Sequence, residues 1–137
     1  MKGGEALLDP NFNPAESRLQ DIFDHLQSGG FEVYFPAQKV GECLKPYCVV
    51  RLNPLTQVPG TSTDLQTYSV ICYVPRLNYG QLEGFIRKVK ARMKALYPMI
   101  VSERTQTQSF YDDQLKGHMV DVGYRNAQKF NHQLEFD

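Results

Sequence analysis

The sequence predicts a single α+β domain: a mostly antiparallel sheet of about five strands with two helices packed on one face, in the order α-β-β-β-α-β-β. Three observations carry that prediction. Tyr68–Val74 alternates apolar and β-branched residues on both of its sides, as a central strand does. Leu82, Phe85, Ile86, Val89, Met93 and Leu96 recur at three- and four-residue steps, the stripe of an amphipathic helix. Most strand-like runs are separated by connections of hairpin size, which favours antiparallel pairing.

The chain divides into an extended arm (1–13), the domain proper (14–124) and a polar tail (125–137). The arm is rich in Gly, Pro and Asn. Asn13–Pro14 places a capping residue before a proline at the first helical position, so a helix is expected from Ala15 to Gln27. Leu19, Ile22, Phe23 and Leu26 form its apolar stripe, and Gly29–Gly30 ends it. Phe31–Phe35 is expected as a short strand and Pro36–Leu44 as a connection. Pro46–Leu52 follows as a strand that opens on proline.

Asn53–Asp64 concentrates Pro, Gly, Ser and Thr and is expected as a long hairpin loop. Pro75 closes the central strand because it cannot donate to the ladder. Asn78 and Gln81 have the spacing of a capping box for the helix that follows, and Pro98 stops that helix. Met99–Thr105 is expected as a strand whose inward alternation begins at Met99 and Val101. Gln106–Gly117 is then a second polar loop. His118–Tyr124 closes the sheet, with Val120, Val122 and Tyr124 on one side and Met119, Asp121 and Gly123 on the other.

Composition limits what the chain can do. Lysine plus arginine equals aspartate plus glutamate at 15 each, which disfavours a dedicated nucleic-acid binder and favours self-association. No apolar run approaches the length that spans a bilayer, and the first residues lack the apolar core of a secretory signal, so cytoplasmic synthesis without membrane association is expected. Cys43, Cys48 and Cys72 contain no C-x-x-C pair and are expected to be reduced and mostly buried. His25, His118 and His132 lie too far apart to form the local pairs of a metal site. Neither a metal nor a cofactor is expected.

Strand-connecting loops on a rigid sheet are where binding concentrates. In the first loop the candidates are Leu55, Thr56, Gln57 and Val58, followed by Thr61, Ser62 and Thr63. In the second, Phe110 and Tyr111 offer apolar area of the kind enriched at interface centres, beside Asp112 and Asp113. Those two acids with His118 form the one stretch that invites a catalytic reading. Adjacent residues point apart on an extended backbone, so turn formation is the better account, and no enzyme is expected. A charged contact face is expected from Arg87, Lys88, Lys90 and Lys94, which lie off the apolar helical stripe. Tyr68, Tyr73 and that basic helix supply an alternative of another class, a single-stranded nucleic-acid-binding domain.

The stretches PYCVVRLNP, QTYSVICYVP, LEGFIRKVKARMKAL and HMVDVGYRNAQK, in this order, resemble the tail-terminator and tail-to-head joining proteins of long-tailed bacteriophages. The resemblance extends over about Leu19 to Lys129 and lies in element order and strand phrasing. It implies a structural virion protein that forms a ring, expected to be hexameric, on the finished tail tube. It also implies tail tube protein and a head–tail connector or neck protein as partners, with DNA only as cargo in the channel. Another connector or neck ring protein is the nearest alternative. The expected location is the head-proximal end of the tail, after assembly in the host cytoplasm.

Overall fold

The computed structural model describes residues 17–60 and 64–127. The first helix, α1 (Arg18–Ser28), begins at Ser17, whose hydroxyl accepts from the Gln20 amide at 3.2 Å. The expected start at Asn13–Pro14 lies outside the described residues. Ser17 with Gln20 three residues on is itself a capping pattern that the proline signal overshadowed. The C-terminal end follows the glycine signal. Gly30 has φ +94°, its amide donates to the Gln27 carbonyl, and the Phe31 amide donates to the Leu26 carbonyl. These are the paired bonds of a Schellman motif, which only a left-handed residue permits cheaply.

The strands are β1 (Val33–Tyr34), β2 (Tyr47–Leu52), β3 (Thr56–Gln57), β4 (Asp64–Leu65), β5 (Thr67–Pro75), β6 (Ile100–Gln106), β7 (Phe110–Asp112) and β8 (Gly117–Asn126). The second helix, α2 (Leu82–Met93), lies between β5 and β6. The main sheet runs β1-β2-β5-β8-β6, with β7 also paired to β8, and β3–β4 form a separate two-stranded ribbon. Among the described residues every pairing is antiparallel except β1–β2. The fold is therefore α+β, with two helices on a mixed, mostly antiparallel six-stranded sheet plus a hairpin.

Both helices cover one face. Ile22 and Leu26 of α1, with Leu82, Ile86, Val89 and Met93 of α2, enclose Cys48, Val50, Val70, Cys72, Val74, Val120 and Val122. The central position of β5 follows from its residues: Tyr68 to Val74 are all buried, because helices cover one side and a second cluster covers the other. Pro75 is its last residue, as expected.

The structure adds to some expectations and changes others. β1 is parallel to β2, with Val33 opposite Cys48. A parallel pair needs a long crossover, and residues 35–46 provide one over the face opposite the helices, where Cys43 packs with Tyr47, Ile71 and Tyr73. The long first loop contains the β3–β4 ribbon, and the second loop contains β7. The Asn78–Gln81 capping box does not form. Arg76–Gln81 is a 3-10 turn kinked at Asn78, and α2 starts at Leu82 with no side-chain cap. Tertiary bonds hold this turn: Tyr79 shares a hydrogen bond with Ser109 at 2.9 Å, and His118 Nε2 donates to the Arg76 carbonyl at 3.2 Å. In β6 the inward residue is Ile100, not Met99 or Val101, because Ile100 joins the core beside Leu96 and Tyr124. Finally, β8 runs two residues past Tyr124, to Asn126.

The two helices are pinned by reciprocal bonds. His25 Nε2 donates to the Arg92 carbonyl at 2.8 Å, while Arg92 donates to the His25 carbonyl at 3.0 Å and to the Ser28 hydroxyl at 2.9 Å. Gly29 leaves room for that guanidinium, since a Cβ there would lie 2.9 Å from Arg92 Cδ and closer still to Nε. Gly29→Ala is expected to displace Arg92 and cost about 1–2 kcal/mol, checked by urea denaturation. Arg92→Ala should remove most of that difference, because the bonds at stake are then already absent.

Candidate interaction surfaces

The two loops singled out in the sequence sit at opposite ends of the sheet. The first joins the end of β2 to the start of β5, where Thr67 pairs with Arg125. The turn of the second joins β7 to β8 beside Pro75, at the other end of β5. Nine residues of extended β5 separate them by about 30 Å.

The base of the first loop is built rigidly. Gln66 Nε2 donates to the Asn53 carbonyl at 2.6 Å, and Asn53 Nδ2 donates to Thr67 Oγ1 at 3.2 Å and Ser69 Oγ at 3.1 Å. Beyond that base, Leu55, Thr56 and Gln57 are exposed and Val58 is half-buried. Thr61, Ser62 and Thr63 lie outside the described residues.

In the second loop, Phe110 and Tyr111 are 48% and 42% exposed. They are neighbours on β7 and so point to opposite faces of the sheet. Phe110 stands beside Met119 on the face away from the helices. Tyr111 stands beside His118, whose ring lies between Tyr111 at 5.1 Å and Tyr79 at 4.6 Å. They therefore form two separate contact points. Asp112 Oδ1 accepts from the amides of Gln114 (2.9 Å) and Leu115 (3.1 Å), so this acid shapes the turn. Asp113 is exposed near Lys116 at 3.9 Å. Among the described residues, no group of three His, Cys, Asp or Glu side chains could hold a metal ion.

The basic helix is brought against the β6 edge. Lys90 Nζ donates to Gln106 Oε1 at 2.7 Å, Arg87 pairs with Glu83 one turn earlier at 3.1 Å, and Lys88 and Lys94 are exposed. Lys90 and Gln106 line two troughs between α2 and the β6–β7 edge. They hold about 590 and 720 Å³.

One polar cluster is invisible to pattern reading. On the face away from the helices, Arg51 Nη2 donates to Asp121 Oδ2 at 3.2 Å and Ser69 Oγ at 3.3 Å, and the Ser69 hydroxyl donates to Asp121 at 3.0 Å. Three different strands supply these residues, so only the register unites them. Their sole sequence signal is that Ser69 and Asp121 interrupt otherwise apolar runs.

The aromatic residues invoked for nucleic-acid stacking are unavailable. Tyr68 is 3% exposed, under the helices, and its hydroxyl donates to Asn126 Oδ1 at 3.0 Å. Tyr73 is stacked on Tyr47 at 4.8 Å beneath the crossover. Burial pushes the Tyr47 and Tyr73 hydroxyls and the Cys43 thiol above their ordinary pKa ranges. The alternation that makes β5 central also removes its tyrosines from solvent. The three cysteines are free and buried. No protein family's model matches this chain, and no curated protein is similar to it in sequence.

Proposed function

We propose that this protein is a ring-forming tail terminator that caps a phage tail tube and presents an attachment surface to the head connector. The observation that carries this reading is the placement of the two contact loops at opposite ends of one sheet. A terminator must grip the tube on one side and the connector on the other, and a sheet about 30 Å long separates two such contacts without coupling them. The strand phrasing that resembles tail terminators supports the same reading, as does a net charge of zero in a chain meant to self-associate. The role is mechanical. The ring stops tube growth by covering the terminal surface that the next tube subunit would occupy.

The test has two parts. Multi-angle light scattering, alone and with purified tail tubes, is expected to give a ring of several copies, expected to be six, on its own or on tube ends. A monomer under both conditions removes the proposal. Next, Leu55→Asp and Phe110→Asp each place a charge at the centre of one exposed contact without touching the core. Each is expected to weaken a different partnership, one with the tube and one with the connector, on the order of tenfold. If both variants weaken the same contact, or neither weakens any, the two-ended reading fails. A wild-type chain that binds two connector-side proteins and no tube belongs one ring higher, in the neck.

A further inference from the structure

We propose that the trough between α2 and β6 nearer Tyr97 receives the 128–137 segment of a second copy of this chain. This rests on the ring reading to the extent that it requires a neighbouring copy. The trough holds about 720 Å³, with Met93, Ile100, Val122 and Tyr124 at its base. Among the described residues two helices cover the sheet, and neither lies over its β6 side beyond this trough. Lys90, Lys94 and Arg104 line its rim, and none of its lining residues is acidic. The nearest β6 acid, Glu103, lies by Gly123 and Asp121 on the opposite face. An occupant must therefore offer apolar side chains on one side and negative charge on the other.

Residues 128–137, QKFNHQLEFD, have that pattern. In an extended segment Phe130, His132, Leu134 and Phe136 fall on one side, while Asn131, Gln133, Glu135 and Asp137 fall on the other. Chain direction assigns the segment to a neighbour. The Ala127 amide donates to the Met99 carbonyl at 3.1 Å, so β8 carries the chain past the start of β6 and away from the trough. Return to its own trough needs a tight reversal directly after Ala127, and 128–137 contain neither Gly nor Pro. A chain that keeps the β8 direction past Ala127 leaves this trough free for the segment of a neighbouring copy. Each copy then gives one segment and receives one, the head-to-tail relation that closes rings.

Cysteine cross-linking on full chains tests this. Lys94→Cys on one chain and Leu134→Cys on another are mixed and treated with a short bis-maleimide. The native Cys43, Cys48 and Cys72 are almost wholly buried and leave little background. A covalent heterodimer as the main product is expected. Lys90→Glu with Lys94→Glu is expected to reduce capture of the segment about tenfold, followed by joining Val101→Cys to Leu134→Cys. Glu135→Lys with Asp137→Lys should restore it. No cross-link, or a bond formed only within a chain carrying both cysteines, overturns the proposal. Rings that form without the cross-link overturn the docking and leave tail termination standing. A cross-linked pair that never builds a ring with tubes does the reverse.

Discussion

Leu26→Ala is expected to remove about 2–5 kcal/mol of stability. Leu26 has no solvent exposure and lies where α1 meets the sheet and α2. It also occupies the position in the Schellman motif whose carbonyl accepts the Phe31 amide, and Phe31 packs on the same core. Truncation leaves a cavity that the pinned neighbours cannot fill, because the His25–Arg92 bonds fix the helix pair. Domains of this kind hold about 5–15 kcal/mol in total, so the change consumes a large share. Urea denaturation should show a lower midpoint with an unchanged slope. A loss below about 1 kcal/mol would mean that α1 is not seated on the sheet as described.

Gly117→Val is expected to open the opposite face of the sheet. A Cβ at Gly117 would lie 3.0 Å from the Val74 carbonyl oxygen and 3.0 Å from Cys43 Cβ. The first is central-strand backbone and cannot withdraw. The second belongs to the crossover 35–46, which is held here by the Cys43 amide donating to the Leu115 carbonyl at 2.6 Å. The crossover is therefore the part that moves, at a cost of about 1–3 kcal/mol or more for so large a side chain. Its displacement uncovers the Cys43 thiol, which is 3% exposed, while Cys48 and Cys72 remain under the helices. Thiol labelling of the folded variant should modify Cys43 alone. Equal labelling of all three cysteines would indicate global unfolding, and no labelling would show that the crossover stays in place.

The candidate surfaces were legible to different depths. Leu55, Phe110 and Tyr111 announce themselves as apolar residues among turn formers, and each is exposed. That Phe110 and Tyr111 face opposite ways depends on β7, a three-residue strand too short for periodicity to register. The basic residues of α2 follow from helical spacing, whereas their placement against Gln106 depends on how the β6 bulge between Ser102 and Gln106 brings that edge round. The Arg51–Ser69–Asp121 cluster leaves only the breaks that Ser69 and Asp121 make in apolar runs, and nothing local joins them to Arg51.

The same division holds for the fold. Local chemistry by itself determined the two apolar stripes, the strands β2, β5 and β8, the Gly29–Gly30 stop and the proline ends, because each depends on side-chain period or on a residue's own backbone limits. Tertiary structure alone decided the parallel β1–β2 pair, the 3-10 entry to α2 in place of a cap, and the inward turn of Ile100. Each of those depends on partners distant in sequence: β2 offers its free edge to β1, Ser109 and His118 hold the 76–81 turn, and Leu96 and Tyr124 draw Ile100 into the core. Short segments carry too little intrinsic preference to resist such contacts, so the packing around them sets their conformation.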